Sequence, residues 1–206
     1  DLYAAEMKAV ILNICPDAQM IDISHEIAKF DVRMGAFVLA CAAPYFPKGT
    51  VHVAVVDPGV GTKRRSIVIK TNRSLFVGPD NGLLILAAKK ENIEHIYATS
   101  NPKFMLQKVS KTFHGRDVFA PVGAYLATGC SPSEMGLEIS DYFVPGFVQP
   151  TTKAGILTGE VLNIDDFGNV ITNISAKDLS RTNAKKGNCL QVELNKKPSK
   201  LTYCSA

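Results

Sequence analysis

At 206 residues the chain has room for one large domain, or a large domain with a small companion, since domains run to about 150 residues. Apolar residues make up 46% and charged residues 20%, which allows a substantial buried core and excludes a disordered chain. The net charge of +4 comes from scattered Lys and Arg, with short clusters at Lys63–Arg65 and Lys196–Lys197. Nucleic-acid binders concentrate such residues in a stripe or arm, so no nucleic-acid partner is expected.

The five cysteines (Cys15, Cys41, Cys130, Cys189, Cys204) are odd in number and widely spaced, without a Cys-x-x-Cys. That excludes zinc-ribbon and thioredoxin readings and suits a reducing cytoplasm. No run of 18 apolar residues is present, so neither a transmembrane helix nor a membrane partner is expected. No secretory signal is visible, and the opening Asp and the closing Leu201–Ala206 read as a trimmed chain.

Met7, Val10, Ile11 and Ile14 recur at helical spacing and predict an amphipathic helix ended by Pro16. Met20–Ile23 reads as a short strand, and Asp31 as the cap of a helix over Val32–Ala43. Val51–Val56 is a β-branched apolar run, the pattern of a buried strand. Strands over Ser66–Lys70, Leu75–Val77 and Ile96–Ala98 and helices over Leu83–Lys90 and Asp117–Thr128 follow, the last helix capped by Asp117 and ended by Gly129.

This alternation predicts an α/β fold, with a mostly parallel α/β sandwich domain over residues 1–143. Residues 144–155 lack any period and read as a linker. Residues 156–206 read as a small, incomplete C-terminal β-barrel-like domain with strands near 159–164, 170–174 and 190–194.

Three segments could carry chemistry. Asp57-Pro58-Gly59-Val60-Gly61-Thr62 lies beyond the carboxyl end of a strand, where open α/β sheets bind ligands, with Arg64 and Arg65 close behind. As a plain alternative, it is a tight turn whose Asp satisfies backbone donors. Thr112-Phe113-His114-Gly115-Arg116-Asp117 places His114 on a loop before a helix, either functional or merely solvent-facing. Ile164-Asp165-Asp166-Phe167-Gly168-Asn169 reads as a hairpin turn, or as a loop able to hold an amino acid. His25-Glu26 lacks a second His four residues on, and His52 and His95 fit structural roles. No Walker loop, Gly-x-Gly-x-x-Gly, metal-ligand cluster or Gly-x-Ser-x-Gly elbow is present.

Taken in order, Val55–Thr62, Gly78-Pro79-Asp80-Asn81-Gly82, Phe113–Asp117 and Asp165–Asn169 resemble the S-adenosylmethionine hydroxide adenosyltransferases, whose superfamily includes fluorinating and chlorinating enzymes. The likeness runs from residue 1 to at least Ile174. It implies hydrolysis of S-adenosylmethionine to adenosine and methionine, with no cofactor and no metal. By motif position it implies a catalytic Asp57, Arg64 and His114 around an attacking water, with Arg64 bracketing Asp57. Asp1, with Tyr3, Met7 and Lys8, matches a segment near the methionine amino group of the relatives. Phe30 matches an aromatic that packs on the ligand. Asp165, Phe167 and Asn169 match a loop that grips the methionine and ribose end from a neighbouring subunit. A homotrimer with sites at its interfaces is therefore implied.

The family opens with a strand ending in Thr-Asp-Phe-Gly, and this chain starts just after that motif. A halogenase is the nearest rival, but Asp57 and Val60 stand where fluorinating relatives carry Tyr and Thr. A non-catalytic S-adenosylmethionine or adenosine sensor is the other, and it needs no water-activating trio.

Overall fold

A computed structural model of the chain describes residues 2–165, 167–182 and 184–204. Two compact units divide between Pro145 and Gly146.

The first unit opens with α1 (Leu2–Ile14), whose Met7, Val10, Ile11 and Ile14 are half-buried, as the spacing predicts, and which packs on α4 (Ala120–Ala127). The segment Met20–Ile23, predicted as a strand, has no ladder partner; Asp22 instead takes the Lys8 ammonium at 2.5 Å and His25 Nε2 at 3.0 Å. α2 (Val32–Ala42) begins where predicted, with the Asp31 carboxylate accepting from the Met34 N–H at 2.9 Å. α3 (Ile85–Lys90) packs against it.

The sheet has the order β1 (Val51–Val53), β3 (Leu75–Pro79), β2 (Ser66–Thr71), β4 (Ile93–Ala98). The α/β class holds, but the pairing is mixed: β1 and β3 are parallel, while β2 runs antiparallel to both β3 and β4. The reason is connector length. Only residues 72–74 join β2 to β3, and a parallel crossover needs about a dozen residues or more. Val68, Val77, Phe119 and Val122 centre the core between the sheet and α4.

The helix predicted over Asp117–Thr128 has two parts. A π-helical turn, Gly115–Phe119, leads into α4, and Gly129 follows with φ +96°. Asp117 lies inside that turn and does not cap the helix.

The second unit holds three two-stranded antiparallel sheets: β5 (Thr151–Lys153) with β6 (Ile156–Thr158), β7 (Val161–Ile164) with β8 (Val170–Thr172), and β9 (Cys189–Leu194) with β10 (Lys197–Thr202). Among the described residues these do not close into a barrel. The stretch read as a linker contains β5 and most of its hairpin, turned by Ala154 and Gly155 at φ +47° and +78°. A two-residue hairpin turn of type I′ needs positive φ at both central positions, and alanine there hides the turn from sequence reading.

His52 on β1 is buried, stacked on Phe76 at 4.9 Å between ring centres and edge-on to Phe46 at 5.3 Å. Its Nε2 is buried with no hydrogen-bond partner. Burial pushes its pKa below the ordinary 6.5, with Glu91 pulling the other way. The unfolded chain therefore binds a proton at a pH where folded His52 does not. Its stability contribution is complete above about pH 6.5 and falls as the pH drops below that value. Urea midpoints should decline from pH 7 to 5, and His52→Phe should flatten that decline; an identical slope in both proteins would remove His52 as its source.

Candidate functional site

Asp57 stands four residues beyond the last residue of β1. In the parallel ladder the Ala54 N–H donates to the Val77 carbonyl at 3.0 Å. The next donor on β3 would be residue 79, which is Pro79 and has no N–H. The ladder therefore stops, and the predicted strand over Val51–Val56 ends at Val53. Residues 57–64 then turn back tightly. Gly61 is required there: its φ is +75°, and a Cβ would lie 2.2 Å from the Lys111 carbonyl oxygen. Backbone contact thus joins the Asp57 loop to the segment that leads to His114.

Arg64 ties the two loops together. Its Nε donates to both Asp57 carboxylate oxygens at 2.9 Å, and Nη2 donates to Oδ2 as well. The same Nη2 donates to His114 Nδ1 at 3.0 Å. Nη1 donates to Ser66 Oγ at 3.1 Å and to the Arg65 carbonyl at 3.4 Å, and the guanidinium lies 5.2 Å from the Phe119 ring centre. The side chains of Arg64 and Asp57 are only 9% and 5% exposed. Sequence motif alone placed these three residues together; the structure joins them through one guanidinium nitrogen.

That nitrogen also fixes the imidazole. A guanidinium only donates, so His114 Nδ1 must accept, and the ring proton of neutral His114 sits on Nε2. Desolvation is the largest influence pushing the His114 pKa below 6.5; the Arg64 charge adds to it, and Asp57 and Asp117 oppose it. The site thus offers one N–H donor on His114 beside the spare lone pairs of the Asp57 carboxylate. A water molecule needs both kinds of partner.

Residues outside the trio hold the loops. Asp117, fully buried, accepts from the Ser110 N–H at 2.7 Å and from Arg116 Nε at 2.7 Å. Arg116 reaches Glu6 of α1 at 2.8 Å and covers the Phe113 ring at 4.4 Å. Arg65 is occupied elsewhere, donating to Asp80 at 3.0 and 2.8 Å and to Asp141 at 2.7 Å. Sequence reading gave Ser66, Asn81 and buried Asp117 no role at the site. A signal existed for Asn81, in the Gly78–Gly82 motif, and for Asp117, in the Phe113–Asp117 motif, but not for Ser66.

The expected substrate contacts differ from the trio. Asp1 lies outside the described residues. Phe30 is 70% exposed and has φ +67°, an unusual left-handed conformation for a bulky residue. Asp165 and Asn169 bind each other: the Asn169 amide donates to Asp165 Oδ2 at 2.7 Å, and the N–H groups of Phe167 and Asn169 donate to Oδ1 at 3.0 and 2.8 Å. The Asn169 side-chain bond, foremost among these, lowers the Asp165 pKa. Phe167, at the tip of this loop between β7 and β8, is 91% exposed. Among the described residues no group of three or more His, Cys, Asp or Glu is placed to hold a metal ion.

The chain resembles known proteins over most of its length. Residues 1–136 match the SAM hydroxide adenosyltransferase N-terminal domain, and residues 159–206 match its C-terminal domain. The chain is similar to a protein of Salinispora arenicola named (R)-S-adenosyl-L-methionine hydrolase, at 44% identity over 82% of this chain and 66% of that protein. It thus spans slightly under two thirds of that relative. A fluorinase of Actinoplanes is 29% identical over 88% of this chain and 70% of that protein. Among solved structures, an uncharacterised conserved protein from Thermotoga maritima superposes with a TM-score of 0.83 at 38% identity, covering 100% of this chain and 79% of that one.

Arg64→Lys keeps the charge but loses the planar fork that reaches Asp57 and His114 together. Hydrogen bonds to charged groups contribute roughly 1.5–3 kcal/mol each, so urea unfolding should show a loss of about that size. Unchanged stability would reduce Arg64 to a charge without geometric duty.

Proposed function

The chain belongs to the SAM hydroxide adenosyltransferase family, and we propose that it hydrolyses S-adenosyl-L-methionine to adenosine and L-methionine. The observation that carries this reading is the half-buried Asp57–Arg64–His114 linkage, which pairs a carboxylate with an imidazole N–H. The relative's printed name specifies the (R) form, so both sulfonium diastereomers belong in the assay.

Methionine leaves a sulfonium as a neutral thioether, so the leaving group needs no acid. The task is to hold one water in line behind ribose C5′. Asp57 accepts a hydrogen from that water while His114 Nε2–H donates to its oxygen. The new C5′–O bond forms as the C5′–S bond breaks, the electron pair returns to sulfur, and the water's proton passes toward Asp57. Positioning of this kind can supply about 7–11 kcal/mol in the best intramolecular cases. The chemistry calls for no cofactor. A halide would meet the negative charge of Asp57 and find no hydroxyl on Val60, so water is preferred as nucleophile.

We also propose a homotrimer whose sites lie between subunits, with the Asp165–Asn169 loop of one chain serving the Asp57 loop of another. The exposure of Phe30 and Phe167 and the lack of any fully buried residue in α1 support it. The cytoplasm is proposed as its compartment on the widely spaced, unpatterned cysteines.

Asp57→Ala and His114→Ala should each retain the fold and lower adenosine release, followed by chromatography, by about 10²–10⁴-fold. Near-normal rates in either would remove the trio. For the assembly, inactive Asp57→Ala and Asn169→Ala chains should partly recover activity when their subunits are exchanged, because some mixed interfaces regain an intact pair. Failure to recover after demonstrated exchange would place both residues in one chain.

A further inference from the structure

The Gly78–Gly82 turn contributes to the site through Asn81. The loss of the ladder donor at Pro79 leaves residues 55–57 without backbone pairing to β3. The Asn81 side chain takes over: its Nδ2 donates to the Val56 carbonyl at 2.9 Å, while its Oδ1 accepts from the Leu83 N–H at 3.1 Å. Val56 is the residue immediately before Asp57. The turn can come this close because Gly78 has no side chain: a Cβ there would lie 2.5 Å from the Ala54 carbonyl oxygen. Asp80 anchors the turn from the other side, accepting from Arg65 and, at 2.8 Å, from the Phe143 N–H. The carboxamide therefore spans from a braced turn to the peptide that carries Asp57.

We propose that Asn81 is a positioning residue for catalysis, fixing the Val56–Asp57 peptide so that the Asp57 carboxylate meets Arg64 and the attacking water in register. This rests on the hydrolysis reading for its catalytic consequence, but its structural part does not. The two bonds of Asn81 can be separated. Asn81→Asp keeps the acceptor for Leu83 N–H and loses the donor to Val56, setting a carboxylate against a carbonyl. Asn81→Ala loses both.

In the full chain, with folding followed by circular dichroism, both variants should lower kcat about 10–100-fold, as misplacements near 1 Å do, and leave KM within roughly threefold. In the Asp57→Ala background, Asn81→Ala should add little further loss, since it acts through the missing carboxylate. NMR titration of His114 gives a readout independent of turnover. Once Asp57 and Arg64 are displaced, the two opposing charges beside His114 change, and its titration should shift in both variants. Asn81→Asp with wild-type kcat and an unshifted His114 titration would reduce Asn81 to a turn cap. If the unmodified chain releases no adenosine from either diastereomer, the hydrolysis reading fails instead, and the titration alone decides whether Asn81 holds the trio.

Discussion

The site depends on one buried cation. Burying a guanidinium is costly unless every donor finds an acceptor, and removing a partner from a buried pair costs about 3–5 kcal/mol. Arg64 meets that demand with the Asp57 carboxylate, His114 Nδ1, Ser66 Oγ and the Arg65 carbonyl. These acceptors lie on two loops and one strand, so satisfying Arg64 fixes their mutual placement. The same bonds that make its burial tolerable set the geometry of the carboxylate and the imidazole in the proposed reaction.

A loop site of this kind needs bracing, because loops lack the ladder bonds that hold strands in place. Three braces are present, and each acts at the backbone. Gly61 lets the Asp57 loop lie against the Lys111 peptide. Asp117 holds the Ser110 N–H and so the approach to His114. Asn81 holds the Val56 carbonyl. The π-helical turn at Gly115–Phe119 serves the same end. It carries Asp117 into the core directly after His114, which a regular helix capped by Asp117 would not do.

Sequence periodicity and apolar runs made much of the first unit legible. The half-buried face of α1, the Asp31 cap and the strands at residues 66–71 and 75–79 follow from spacing and burial, which act locally. Strand direction did not follow, although the short connector over 72–74 contained it. The β5–β6 hairpin was masked because Ala154 adopts a positive φ that composition does not advertise. For the candidate site, Asp57, Arg64 and His114 were reachable only through ordered motifs. Arg64 and His114 are 50 residues apart, and no local rule joins them. The duty of Asn81 was hidden for a similar reason: its partner carbonyl is 25 residues upstream.

Electrostatics connects this geometry to the cationic substrate proposed for it. Asp57 and Arg64 cancel one another, so the charge of the trio is set by His114. Desolvation and the neighbouring guanidinium keep its pKa below 6.5, which leaves the imidazole neutral near pH 7. A protonated ring would lose Nδ1 as an acceptor and set two donors, Nδ1–H and Arg64 Nη2, against each other. It would also place a net positive charge where the proposed sulfonium substrate would dock. The arrangement that satisfies Arg64 therefore also keeps the site neutral toward a cation. The charge that disappears in the proposed reaction is the substrate's own, as sulfur regains its electron pair. Such a site has no need of a strong acid; it needs a neutral imidazole donor and a carboxylate acceptor held still, and the Arg64 bonds hold both.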